Sequence, residues 1–236
     1  MSFITKEKSV ALYAALVSFG TYVFIFGFRK SFTVCTFEGM TFGPIAFKTA
    51  MVISQMLGYL MAKFYGIKFI SGLEKKHRYK IIFLLTGIAW AAWLLFAIVP
   101  APYSILFLFI NGFPLGMLWG VVFSYVEGRR STDFIGAALA VSFIFSAGWV
   151  KSVGAWLMLN FHITETWVPF CTGLVFALPL VICVWGLEKV PPPSIEDEAL
   201  RAKRIPMTGA DRKLIIKQYL PGVVAFIAIY LFATIF

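Results

Sequence analysis

The stretch Thr21-Tyr-Val-Phe-Ile-Phe-Gly-Phe-Arg-Lys-Ser-Phe32 sets two adjacent cations, Arg29 and Lys30, in a run otherwise built for hydrocarbon. An arginine at bilayer depth costs at least roughly 2.5 to 3.5 kcal/mol on insertion scales, so it usually faces a water-filled cavity, a partner charge or a ligand. That cost makes Arg29 the first candidate for a functional role.

The rest of the chain confirms the solvent. Apolar residues make up 60% of it, aromatic residues 18% and charged residues only 14%, with a mean hydropathy of +0.86. Soluble domains carry nearer a quarter charged residues, so the composition is that of an integral membrane protein. Crossing about 30 Å of hydrocarbon takes about 20 helical residues. Segments of that length are expected at Val10 to Phe37, Ile45 to Tyr65, Ile81 to Val99, Tyr103 to Val126, Phe134 to Leu159, Trp167 to Leu187 and Tyr219 to Phe236. The alternating ten-residue strands of a β-barrel do not appear in the sequence. A cleavable leader is not expected, because the apolar run after Lys6 and Lys8 exceeds a signal core and lacks a small-x-small cleavage pattern.

A formal net charge of +10 raises a nucleic-acid reading, and the distribution of the charges answers it. With the N-terminus in the cytoplasm, Lys6, Lys8, the basic run from Lys68 to Lys80, Arg129, Arg130 and the cations from Lys189 to Lys217 all fall inside. The connections Pro100 to Pro102 and Asn160 to Thr166 carry no Lys or Arg. This is the positive-inside bias of a multi-pass protein of the cell membrane, so no nucleic-acid partner is expected.

Chemistry-bearing residues are few. His77 and His162 fall in connections on opposite sides, no acidic pair has catalytic spacing, and no glycine loop could cradle a phosphate. An enzyme, a cofactor and a metal site are therefore not expected. Cys35, Cys171 and Cys183 are odd in number, lack metal spacing and read as core residues. In the fourth segment Gly112, Gly116 and Gly120 recur every four residues, which allows a neighbouring backbone to come close. The connection Glu127-Gly-Arg-Arg-Ser-Thr-Asp133 is charged, and its Glu127 and Asp133 can pair with Arg129 or Arg130. From Glu188 to Gln218 the composition turns polar, through Pro191-Pro-Pro193 and Glu196-Asp-Glu198. Ser194 with Asp197 and Thr208 with Asp211 have the spacing of capping boxes. The chain is accordingly divided into a six-helix bundle at 1–187, a cytoplasmic linker at 188–218 and the start of a further helix at 219–236, which ends without a polar flank and reads as truncated.

Six helices, a long charged linker and a seventh helix resemble the major facilitator superfamily, in which two six-helix halves face each other across a cavity. Within it, Tyr22, Arg29, Lys30 and Phe32 resemble the first helix of the organophosphate:phosphate antiporters, and Asn111-Gly-Phe-Pro-Leu-Gly-Met-Leu-Trp119 resembles their fourth. Ser54-Gln-Met-Leu-Gly-Tyr59 and Gly66-Ile-Lys68 are similar to an uncharacterised bacterial branch of the superfamily. The superfamily's loop signature survives as Gly58, Leu60, Lys63 and Gly66, with Ala62 in place of its aspartate, and Gln55 stands where the antiporters have a lysine. The resemblance implies an all-α membrane protein: a six-helix N-terminal bundle of a major-facilitator-type transporter plus a truncated seventh transmembrane helix, whose partner half is missing from this chain.

The expected function is secondary transport of a small organic anion by alternating access within the lipid bilayer. Arginine's planar fork matches a carboxylate or phosphate, so Arg29 is the expected anchor. Tyr22, Gln55 and Asn111 are expected to orient the substrate, with Lys30 beside the anchor and Lys151 as a cation across the cavity. Lys63, Lys68, Glu127, Arg129 and Arg130 are assigned to the cytoplasmic gating face, toward which Lys63 is expected to snorkel. The alternatives are a sensor or scaffold that kept the transporter fold without transport, and a membrane enzyme.

Overall fold

Charged and proline-containing connections punctuate the apolar runs, and a helix forms in each of the first six. In the computed structural model these are α1 (Ser2–Lys30), α2 (Phe47–Ser71), α3 (Arg78–Ile98), α4 (Ile105–Phe123), α5 (Thr132–Phe161) and α6 (Val168–Glu188). The structure describes residues 2–71, 73, 77–194, 196–197, 213–214, 217–222, 224–225 and 228–229, with only the backbone of 2–6, 67, 68 and 71. The chain divides into two units, Met1–Glu198 and Ala199–Phe236. All six helices belong to the first; in the second, the described residues are helical. The expected capping pair Thr208 and Asp211, and most of the expected seventh segment, lie outside the described residues.

Five stretches, Glu7–Val34 and helices α3 to α6, are long and apolar enough to cross a membrane. The chain is thus a multi-pass membrane protein by length and composition. The span of α2 is diluted by Lys48, Gln55 and Lys63 and is not among the five.

Helix ends follow local chemistry. Pro169 sits in the first turn of α6, where its missing N–H costs nothing. The cap of α5 is His162, in the left-handed region at φ 52°. Helix α1 departs from expectation, because it stops at Lys30 rather than running to Phe37. A 3₁₀ turn at Ser31–Val34 follows, and Phe37 adopts φ 53°. Thr33 Oγ1 donates to Lys30 O at 2.6 Å, and Lys48 Nζ of α2 donates to Thr33 O at 3.0 Å and Cys35 O at 2.6 Å. Side chains thus supply what the helical ladder no longer provides. A two-stranded antiparallel hairpin, β1 (Thr41–Phe42) and β2 (Ile45–Ala46), then leads into α2.

In a bilayer the lipid is as apolar as leucine, so helices associate through close packing and interhelical hydrogen bonds. The α2–α4 seam is built this way. A Cβ placed on Gly112 would stand 2.2 Å from Gln55 O, and one on Gly58 would stand 2.2 Å from Phe109 O. At Gly116 the nearest atom would be Ala62 Cβ at 2.6 Å. The glycine face read from the sequence is a contact between two backbones. A core of Tyr22, Phe28, Leu115, Leu118, Phe176 and their neighbours fills the centre of the bundle. A second cluster, including Phe32, Phe47, Trp93 and Phe96, fills the distal end, where α1 finishes.

Candidate functional site

The unwound end of α1 leaves the carbonyls of Phe28 and Arg29 to be satisfied from outside the helix. Gln55 Nε2 on α2 donates to Arg29 O at 2.9 Å and to Asn111 Oδ1 at 2.8 Å. Asn111 Nδ2 on α4 donates to Phe28 O at 3.1 Å and to Ala89 O of α3 at 2.9 Å, and Trp93 Nε1 reaches Phe28 O at 2.5 Å. Gln55 and Asn111 are both buried. The structure therefore spends these two amides on tying four helices together, where the sequence reading had them orienting a substrate.

That network holds the last turn of α1 in place, and Arg29 leaves it sideways. Its guanidinium lies 4.3 Å from the centroid of the Tyr59 ring and 5.7 Å from that of Phe26. Lys63 Nζ lies 4.6 Å from the same Tyr59 ring. Lys63 sits one helical turn beyond Tyr59 on α2, and helical side chains lean toward the N-terminus. Its ammonium accordingly reaches back over the Tyr59 ring, on a side chain that is exposed. Tyr59, which carries no expected role in the sequence, thus has two cations within cation–π reach of its ring. The i to i+4 spacing to Lys63 is the signal that could have found it.

The cations continue outward. Lys30 follows Arg29 in the chain and is half-buried. Lys151, on α5, is exposed. No acidic residue occurs between Glu7 and Glu38, between Glu38 and Glu74 or between Asp133 and Glu165, so these helices carry no carboxylate in mid-span. Tyr22 is 1% exposed and packs edge-on against Trp119 and Phe143 at 5.3 and 4.9 Å. It is enclosed by these rings and faces no open space.

The proximal end, where α1 begins, is a separate assembly. Arg129 donates to Pro191 O, and the N–H of Arg130 donates to Asp197 Oδ1 at 2.9 Å. Ser194 and Asp197 form the reciprocal capping pair that their spacing announced: Asp197 N–H to Ser194 Oγ at 3.1 Å, Ser194 N–H to Asp197 Oδ2 at 2.9 Å. Burial opposes ionisation of Asp197, but these donors and the charge of Arg129 outweigh it and hold the carboxyl below its ordinary value. Burial lowers Arg129, and Asp197 works against that. The carboxylate acting on Arg129 is thus Asp197 of the linker. Glu127 donates its N–H to Phe123 O; the side chain of Lys68 lies outside the described residues. Tyr125 OH donates to Glu188, joining the ends of α4 and α6. This end is therefore a clasp, some distance along the helices from the Arg29 cluster.

The distal end has its own clasp. Glu165, in the α5–α6 connection, accepts from Thr36 N–H and Phe37 N–H at 2.7 Å each and from Thr36 Oγ1 at 2.9 Å. Cys35 beneath it is buried, and burial first, then the charge of Glu165, pushes its thiol up to about 12. Among the described residues no group of His, Cys, Asp and Glu could hold a metal ion.

No curated protein and no solved structure matches this chain. Residues 31–236 match the family described as "Family of unknown function (DUF5690)", and the chain belongs to that family.

Proposed function

We propose that this protein is a secondary transporter that carries a small organic anion across the cell membrane by alternating access. The observation that supports it is the gathering of Arg29 and Lys63 at the Tyr59 ring, with Lys30 next to Arg29 in the chain, in helices without a mid-span carboxylate. Cations at that depth are costly unless something of opposite charge visits them. An exchanging anion is such a visitor, because it binds the empty cluster and leaves again.

On this reading the bundle is the N-terminal six-helix part of a major-facilitator-type transporter, with its N-terminus in the cytoplasm, and the anion sits at mid-membrane between it and a second bundle. Arg29 grips the carboxylate or phosphate bidentately, Lys63 and Lys30 add point charge, and the Tyr59 ring attracts both Arg29 and Lys63 while the site is empty.

The test is exchange of radiolabelled anions into vesicles carrying the purified protein, with inorganic phosphate, a phosphate monoester and a dicarboxylate as probes. Uptake of one class is expected, with loss in Arg29→Ala and partial retention in Arg29→Lys. Uptake of every anion unchanged in Arg29→Ala would falsify the anchor role.

A further inference from the structure

We propose that the distal hairpin and the neighbouring α3–α4 turn form an interfacial anchor, seated in the boundary between lipid headgroups and acyl chains. This does not rest on the transport reading. Residue by residue, the segment Gly39-Met-Thr-Phe-Gly-Pro-Ile-Ala-Phe47 contains no ionisable side chain, and Thr41 is its one polar side chain. The chain from Ile81 to Val126, which includes the α3–α4 turn, has no Asp, Glu, Lys, Arg or His. Connections that stand in water are normally rich in polar and charged residues. Glu38, exposed at the base of the hairpin, is the last charge before the tip, and from Gly39 onward the hairpin and the α3–α4 turn are free of charge and need another solvent.

The geometry gives that solvent a surface. Phe42 and Ile45 are cross-strand partners, so one pair carries both large side chains of the hairpin, 44% and 36% exposed. Gly43, the first residue of the two-residue turn, has φ 58°, the backbone that tight hairpins need there. A shallow cavity of about 290 Å³ lined by Met40, Thr41, Phe42, Gly43, Ala101 and Pro102 joins the hairpin to the α3–α4 turn. Tyr103, 75% exposed, stands on that turn. An aromatic ring with a polar tip, beside a phenyl ring and an aliphatic chain, is the composition that bilayers concentrate at their interface.

The patch is also continuous with the bilayer-facing helices. Ile98 at the end of one candidate span and Leu106 at the start of the next are 60% and 61% exposed. The nearest cation, Lys48, is turned inward onto Thr33 O and Cys35 O. A protein-docking patch would be rimmed by polar residues all round; this one has Glu38 at the base of the hairpin and on its α3–α4 side runs into exposed apolar helix surface.

The experiment is collision accessibility of a nitroxide in the full chain, reconstituted in phosphatidylethanolamine and phosphatidylglycerol vesicles. Phe42→Cys and Tyr103→Cys are labelled in a background free of Cys35, Cys171 and Cys183, with Glu196→Cys as an aqueous control. If that background does not fold, the native one serves, with unsubstituted protein labelled in parallel as the blank. The expected result is an oxygen-to-nickel-chelate accessibility ratio above one at Phe42 and Tyr103 and below one at Glu196. A ratio below one at both positions places the tip in water and overturns the proposal. Low accessibility to both reagents means that a protein partner or a second copy covers the patch, and overturns it equally.

Discussion

The amide of Gln55 donates to Asn111 Oδ1 at 2.8 Å, and each residue also donates to a carbonyl in the last turn of α1. Two side chains on different helices thus end a third helix. Asn111→Leu leaves Gln55 short of an acceptor and removes the donor to Ala89 O. An orphaned buried group costs about 1–3 kcal/mol, and hydrogen bonds inside membranes average near the lower bound, so a loss of about 1 kcal/mol is expected. It is read as a lowered melting temperature in detergent, and an unchanged melting temperature would remove the network from any account of stability.

Two glycine substitutions separate packing from propensity. Gly112→Ala drives a methyl toward Gln55 O, whereas a Cβ on Gly87 meets nothing within 4 Å. Overpacking costs about 1–3 kcal/mol, while Gly→Ala in a helix interior gains up to about 1 kcal/mol. Gly112→Ala should therefore lower thermal stability and Gly87→Ala should hold or raise it. Equal responses from the two variants would contradict the α2–α4 seam.

Acid should loosen the distal clasp. Burial of Glu165 works against its charge, but the N–H groups of Thr36 and Phe37, the Thr36 hydroxyl and the ammonium of Lys48 outweigh it and hold the carboxyl below its ordinary 4.5. With the folded value below the unfolded one, the carboxylate stabilises the fold fully above the unfolded value, and that contribution disappears as pH falls through the folded value. Thermal stability followed from pH 7 downward should drop below about 4.5 in the native protein, and the step attributable to this group should be missing in Glu165→Gln. Parallel profiles for the two proteins would mean that the clasp contributes nothing.

Tyr59 offers a test of the cation cluster that leaves its charges in place. Cation–π contacts are worth about 0.5 kcal/mol when exposed and about 2 when desolvated, which corresponds to roughly two- to thirtyfold in affinity. Tyr59→Phe should keep anion binding near the native value, and Tyr59→Leu should weaken it within that range, measured by titration calorimetry in detergent. Native affinity in Tyr59→Leu would show that the ring does not organise Arg29 and Lys63.

Much of the fold was legible because it is written in one dimension. A helix that must satisfy its own backbone in hydrocarbon needs about 20 apolar residues between polar ends. Such a run places α3 at Ile81 to Val99 against an observed Arg78–Ile98, and α6 at Trp167 to Leu187 against Val168–Glu188. The capping pair Ser194 and Asp197 was readable for the same reason, since partners three residues apart need no tertiary information. The α2–α4 glycine face was half readable: the spacing named one side of the seam, and the structure supplied Gln55, Tyr59 and Ala62 on the other.

The opening stretch divides the two kinds of knowledge. The sequence by itself determined that the chain crosses a membrane and that Arg29 and Lys30 are out of place there, because transfer costs depend on residue type alone. Only the tertiary structure decided that α1 ends at Lys30, since the donors that replace its ladder come from Gln55, Trp93 and Asn111 on three other helices. It also decided that Lys63 and Arg29 meet at the Tyr59 ring, because which side chains share a neighbour follows from how α1 packs beside α2.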